Sequence, residues 1–163
     1  MSRLDAIGPF LEGAQHIFEF ICQESPVIGG ICVKPRPYQV CEVAVFVDII
    51  EGPCRRVVYH ISIRSALKMA SKLMADMLTM DADSLNSDVA QSSIREMTNI
   101  ICGAAASIFS SRGNITDLMP PQIVFNANAC DLFGTESDVV SSSLEFADGD
   151  VLFVDLLLRP AVK

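Results

Sequence analysis

The sequence contains no tryptophan, two tyrosines and only two histidines in 163 residues. So few imidazoles exclude a histidine-rich metal centre. Any histidine-dependent hydrolysis would have to rest on His16 or His60, and neither lies in a G-x-S-x-G elbow or shows a cysteine–histidine pairing signal, so both read as ordinary helix or strand residues. Positive charge is also scarce: 12 basic against 20 acidic side chains leave a formal net charge of −8. Nucleic acid and anionic membrane both call for a basic footprint, which is missing. No apolar run approaches the ~20 residues of a membrane span. Met1-Ser2-Arg3-Leu4-Asp5 does not open a secretory leader, because an acidic residue and a glycine interrupt any apolar stretch. No C-x-x-C pair occurs among Cys22, Cys32, Cys41, Cys54, Cys102 and Cys130. Scattered within apolar runs, they read as small buried hydrophobes of a reducing compartment, and the cytoplasm is the expected location. Gly29-Gly30 is not followed by the Gly-Lys-Ser/Thr of a phosphate loop. Asp81, Asp83, Asn86 and Asp88 lack the glycine and distal glutamate of a calcium loop and read as a solvated acidic loop. No cofactor or metal site of the chain's own is expected.

Half the residues are apolar and a fifth are charged, a globular composition. The length suits one domain over 1–163, or two fused half-domains. Apolar spacing at Phe10, Ala14, Ile17, Phe18 and Ile21 predicts a helix from Pro9, in its first turn, to about Gln23. Prolines and glycines then break the chain to Pro37, with room for a short strand in Val27 to Val33. Two β-rich runs, Val40 to Ile50 and Arg55 to Ser62, flank a turn at Glu51-Gly52-Pro53. A second helix, capped by Ser62 or Ser65, runs to about Met77. Its methionines, with Met80, suit either an adaptable binding surface or core filler. A long helix covers Asp88 to Ser110 and ends at Arg112-Gly113-Asn114. Strands follow at Gln122 to Asn126, Val139 to Phe146 and Val151 to Leu158. This order predicts an α+β fold: a mostly antiparallel sheet packed against long helices. Glu12-x-x-Gln15 and Glu96-x-x-Asn99 stand in similar helical contexts, a hint of an internal pseudo-repeat.

The long helix carries the informative stretch. At about 100° per residue, Ser92, Glu96, Asn99 and Gly103 fall within a stripe roughly 60° wide. Ala90, Ile94, Met97, Ile101, Ala104 and Ile108 centre on the opposite side. A carboxylate and an amide thus point outward together, one turn apart. Spacing alone is equally that of the polar face of any amphipathic helix. A glycine on that stripe is a poor helix former but permits close approach of another backbone.

Ser92-x-x-x-Glu96-x-x-Asn99 resembles the [Asp/Ser]-x-x-x-Glu-x-x-Asn signature of the CheC/CheX/FliY phosphatases, and Ile-Ile-x-Gly-x-Ala after it is similar to that family's continuation. Phe10 to Phe18, Gly52 before a β-rich run, Ser65-Ala66-Leu67 and Asp117 to Pro121 follow the family's order as well. The resemblance implies a CheX-like fold and a chemotaxis or other two-component phosphatase. Its substrate would be the phospho-aspartate of a CheY-type response-regulator receiver domain. It implies that Asn99 orients the attacking water and Glu96 anchors the receiver's lysine, with Ser92 and Gly103 as docking support. Mg²⁺ would sit on the receiver. It further implies a homodimer joined through sheet edges, and leaves a receiver-binding adaptor with little catalysis as the alternative. Since Gln15 is a methylene longer than asparagine, one active site per chain is expected.

Overall fold

Valine-rich β3 (Val43–Glu51) and β4 (Cys54–Ile61) form the hairpin that their composition predicts, in register from Val43↔Ile61 to Asp48↔Arg56. Gly52 turns it at φ 138°, a backbone angle that L side chains rarely adopt. The register also sets Arg56 against Asp48, with Nε 2.6 Å from Oδ1. The computed structural model describes residues 3–34, 38–75, 88–134 and 139–159.

All strands pair antiparallel. β7 (Val139–Glu145) and β8 (Val151–Leu158) form a second hairpin, and β8 pairs with β4 at the middle of the sheet. One edge is an interrupted strand, β1 (Val27–Ile28) and β2 (Cys32–Lys34), both on β7. The other edge is β5 (Asp117–Leu118) and β6 (Gln122–Phe125), both on β3, broken by Pro120-Pro121. Proline has no N–H for a ladder, so its place is an edge.

Three helices cover one face of the sheet. α1 (Arg3–Ile17) continues as a π turn, Phe18–Cys22; α2 spans Ile63–Ala75 and α3 Asp88–Ser111. Helix α1 begins earlier than expected, which puts Pro9 inside the helix instead of in its first turn. Pro9 is buried, and only one backbone hydrogen bond of the helix is forgone there. Ser62 caps α2, its Oγ accepting from Ser65 N at 3.2 Å. The expected continuation of α2 to Met77, and Met80, Asp81, Asp83 and Asn86, lie outside the described residues. Helix α3 ends in a Schellman motif: Asn114 N donates to Phe109 O and Gly113 N to Ser110 O, both at 3.0 Å, with Gly113 at φ 77°.

The main core lies between these helices and the sheet, around Phe10, Phe18, Val57, Ile101, Phe109 and Leu156. Burying each phenylalanine is worth about 2–3 kcal/mol. The opposite face of the sheet carries a smaller core, roofed by a helix that the sequence reading missed, α4 (Ala129–Phe133), through Leu132 and Phe133. Ala44, Val58 and Leu157 lie beneath it, so β3 and β4 are buried on both faces. Among the described residues no helix is long and apolar enough to cross a membrane.

Candidate functional site

Helix α3 is fixed from two sides. Met97, Ile101, Cys102, Ala105 and Phe109 are buried in the core. Against α1, the Phe10 and Phe109 rings meet edge to face at 5.5 Å. Gly13 makes this closeness possible: a Cβ there would lie 3.0 Å from Ala105 N and from Ile101 O. Arg112 Nη2 adds hydrogen bonds of 2.9 and 2.8 Å to the Glu12 carboxylate. A helix held this firmly can present side chains in a defined geometry.

Ser92, Glu96, Asn99 and Gly103 are all exposed, so the outward stripe predicted from spacing is present in the fold. Among the described residues, no hydrogen bond or ion pair holds the side chain of Glu96 or Asn99. Arg95, beside them, reaches Ser92 Oγ only at 3.5 Å, too long to orient either group firmly. Ile100, 37 % exposed, lies next to Asn99 and is the apolar member of the surface. The hydroxyls of Ser93, Thr98 and Ser107 bond back to carbonyls of their own helix, at 2.9, 3.0 and 3.0 Å. A free carboxylate and a free amide, one turn apart on a rigid helix, can accept from a cation and hold a water against a docked surface.

The similar motif in α1 is differently placed. Glu12 is engaged by Arg112, and Gln15 Nε2 donates to Pro26 O at 2.8 Å. Both side chains are half-buried, with the amide serving a loop.

Sequence reasoning also missed a polar cluster on the sheet face away from α3. Asp155, wholly buried, accepts from Ser141 Oγ at 2.5 Å and from Lys34 Nζ at 3.1 Å. His60 Nε2 lies 3.0 Å from Asp155 Oδ2, and Cys41 N donates to His60 Nδ1 at 3.1 Å. His60 also stacks on Phe153, centroids 5.0 Å apart. Burial raises the Asp155 pKa, but the His60 hydrogen bond, the charges of His60 and Lys34 and the Ser141 hydroxyl outweigh it and hold the carboxyl below its ordinary value. Lys34, His60, Ser141 and Asp155 come from four different strands, Cys41 from the loop before β3, and they share no local pattern. Among the described residues, no group of three or more His, Cys, Asp or Glu side chains is arranged to hold a metal ion.

The fold is similar to that of several solved structures. The chemotaxis protein CheX from Desulfovibrio desulfuricans superposes with a TM-score of 0.76 at 17 % identity, over 95 % of this chain and 99 % of that one. A CheC-like superfamily protein from Shewanella gives 0.76 at 15 %, over 98 % and 100 %. The CheX–CheY–BeF3–Mg complex from Borrelia burgdorferi gives 0.72 at 21 %, over 97 % and 100 %. At such identities the likeness is one of fold. None of the curated proteins matches the sequence. The family model "Chemotaxis phosphatase CheX" matches residues 43–137, more than half of the chain and the whole of α3 with Glu96 and Asn99, and the chain belongs to that family.

Proposed function

We propose that this chain hydrolyses the aspartyl-phosphate of a response-regulator receiver domain, with Asn99 and Glu96 as the working pair. The observation that carries this reading is the outward presentation of both side chains, exposed and unengaged among the described residues, on a helix locked against α1 and the sheet. Family membership and the Borrelia complex with a CheY receiver support it.

On docking, the Asn99 amide enters the receiver's site and holds a water in line with the phosphorus. The water's oxygen bonds to phosphorus, the bond to the aspartyl oxygen breaks, and inorganic phosphate and free aspartate result. Catalysis is orientation, with no nucleophile from this chain. The Glu96 carboxylate accepts from the receiver's lysine in a charge-assisted hydrogen bond that anchors the complex. Mg²⁺ belongs to the receiver's acidic pocket. Ser92, one turn before Glu96, supports docking.

The test is phosphate release from Mg²⁺-loaded, phosphorylated receiver domains of the source organism. Wild type accelerates release. Asn99→Ala, which removes the group that positions the water, loses about 10²-fold or more in rate with binding retained. Glu96→Ala loses mainly affinity, by about 10–100-fold, as expected for one hydrogen bond to a charged group. If wild type binds a receiver yet leaves its phosphate lifetime unchanged, the protein is an adaptor and the phosphatase reading is wrong.

A further inference from the structure

Beside the Asp155 cluster, the sheet face away from α3 opens into a cavity of about 830 Å³. Sites for small molecules span about 300–1,000 Å³. Its floor is His60 and Phe153. One wall is residues 38–42, the segment that leads into β3, and the other is residues 126–129, where β6 gives way to α4. The receiver-phosphatase reading makes no use of this face.

The walls are tied in place. Cys41 N donates to His60 Nδ1 at 3.1 Å, and Asn126 N to Glu42 O at 2.8 Å. Lys34 Nζ, held by both Asp155 oxygens at 3.1 Å, lies 4.8 Å from the centre of the Tyr38 ring and 5.1 Å from that of Phe153. A buried ion pair gains little net stability over well-packed apolar residues. This one holds two rings and a loop in a single arrangement, so the cavity is formed before any ligand arrives.

The chemistry of a ligand follows from which groups are already engaged. Lys34 is committed to Asp155, and both His60 ring nitrogens have partners, which leaves an anionic ligand without a cation of the lining to bind among the described residues. Glu42, by contrast, is exposed and has no ion-pair partner among the described residues. The side-chain amides of Gln39 and Asn126 are likewise without hydrogen bonds there, and Asn128 uses only Oδ1, on Asp131 N at 2.9 Å. Val40, Ala127 and Ala129 supply apolar wall. One unpaired carboxylate, neutral amides and an apolar wall suit a compact molecule with a positive end.

We infer that this cavity is a binding site for a small organic cation, an ammonium or guanidinium group on a compact apolar body, with its charge at Glu42 and its body against Val40 and Phe153. The inference is independent of the receiver-phosphatase reading.

The experiment uses the full chain and three probes of one shape and different charge: phenethylamine, 2-phenylethanol and phenylacetate. Backbone amide shifts locate binding, and their titration gives Kd. Phenethylamine binds wild type with a Kd of about 1 mM or tighter, the range for so small a molecule, and moves the amides of Cys41, Glu42, His60 and Ala127 but none of α3. The alcohol binds about tenfold more weakly, and the acid more weakly still. Glu42→Gln brings the amine down to the level of the alcohol and leaves the alcohol unchanged. Asn126→Gly suits the left-handed backbone there (φ 51°) and removes the amide; it weakens amine and alcohol together by about threefold or more. Both positions are exposed, so both variants keep the fold. Probes that bind alike whatever their charge, an amine indifferent to Glu42→Gln, shifts that fall outside the cavity, or no binding at about 10 mM amine would each overturn the inference.

Discussion

Asp155→Asn removes a buried charge without changing side-chain volume. The carboxylate stands at 0 % exposure and is the common partner of Lys34, His60 and Ser141, while the Lys34 side chain retains 17 % exposure. Removing one member of a buried ion pair costs about 3–5 kcal/mol, because the other is left uncompensated. Lys34 can swing partly into water, so the lower end applies, about 3 kcal/mol, out of a total of roughly 5–15 kcal/mol for a domain. In a chain of this length that lowers Tm by about 6–12 °C. The pH dependence has a definite sign. The Asp155 pKa is depressed in the folded protein, so its contribution is fully present above the unfolded carboxyl pKa of about 3.9 and is lost as pH falls through the lower folded value. Urea unfolding of wild type and variant at pH 7, repeated in steps down to about pH 2, well below the unfolded carboxyl pKa, measures the gap directly. A gap below about 1 kcal/mol at pH 7, or one unchanged at lower pH, would refute the assignment of the cluster as a buried, charge-bearing clamp.

Two further outcomes concern packing. Gly13→Ala destabilises the protein by about 1–3 kcal/mol, since its methyl must push the α3 backbone away; thermal melts beside Gly103→Ala should show shifts of opposite sign, and equal shifts would contradict the close α1–α3 contact. Burial pushes both Cys54 and Cys102 up to about 12, whereas Cys32 and Cys130 are exposed. In native protein at pH 8, mass spectrometry should find the exposed pair alkylated first, and equal labelling of all four would sink that ordering.

Much of the fold was legible because long elements repeat their signal. Helix α3 lies within a residue of its predicted limits, and its outward stripe follows from spacing alone. β8 coincides with the predicted Val151 to Leu158. The failures have physical causes. A five-residue helix such as α4 spans too few turns for periodicity, and the Asn128 cap, accepting from Asp131 N at 2.9 Å, was its one local signal. β5 has two residues and is defined only by its partner β3. His60 read as an unremarkable strand residue, yet it is buried against Asp155, because antiparallel register brings together groups that the sequence keeps apart. For the candidate site, the outward placement of Glu96 and Asn99 came from the 3.6-residue period, and the meaning attached to it from family resemblance. The same period put Gly103 on the outward stripe, whereas the crowding of Gly13 by the α3 backbone depends on tertiary contact and left no mark in the sequence.

The pairing of β4 with β8 has a consequence for how the chain is made. The hairpin of β3 and β4 and the three helices are all synthesised before the strand that completes the sheet's centre. Until β8 emerges, β4 presents an open edge, and the apolar face of the hairpin lacks Val154 and Leu156. Closing so long a loop is entropically slow, and nascent chains in that state are exposed to pairing with one another. The interval between translation of β4 and of β8 is therefore when the sheet's central edge lies open to a wrong partner.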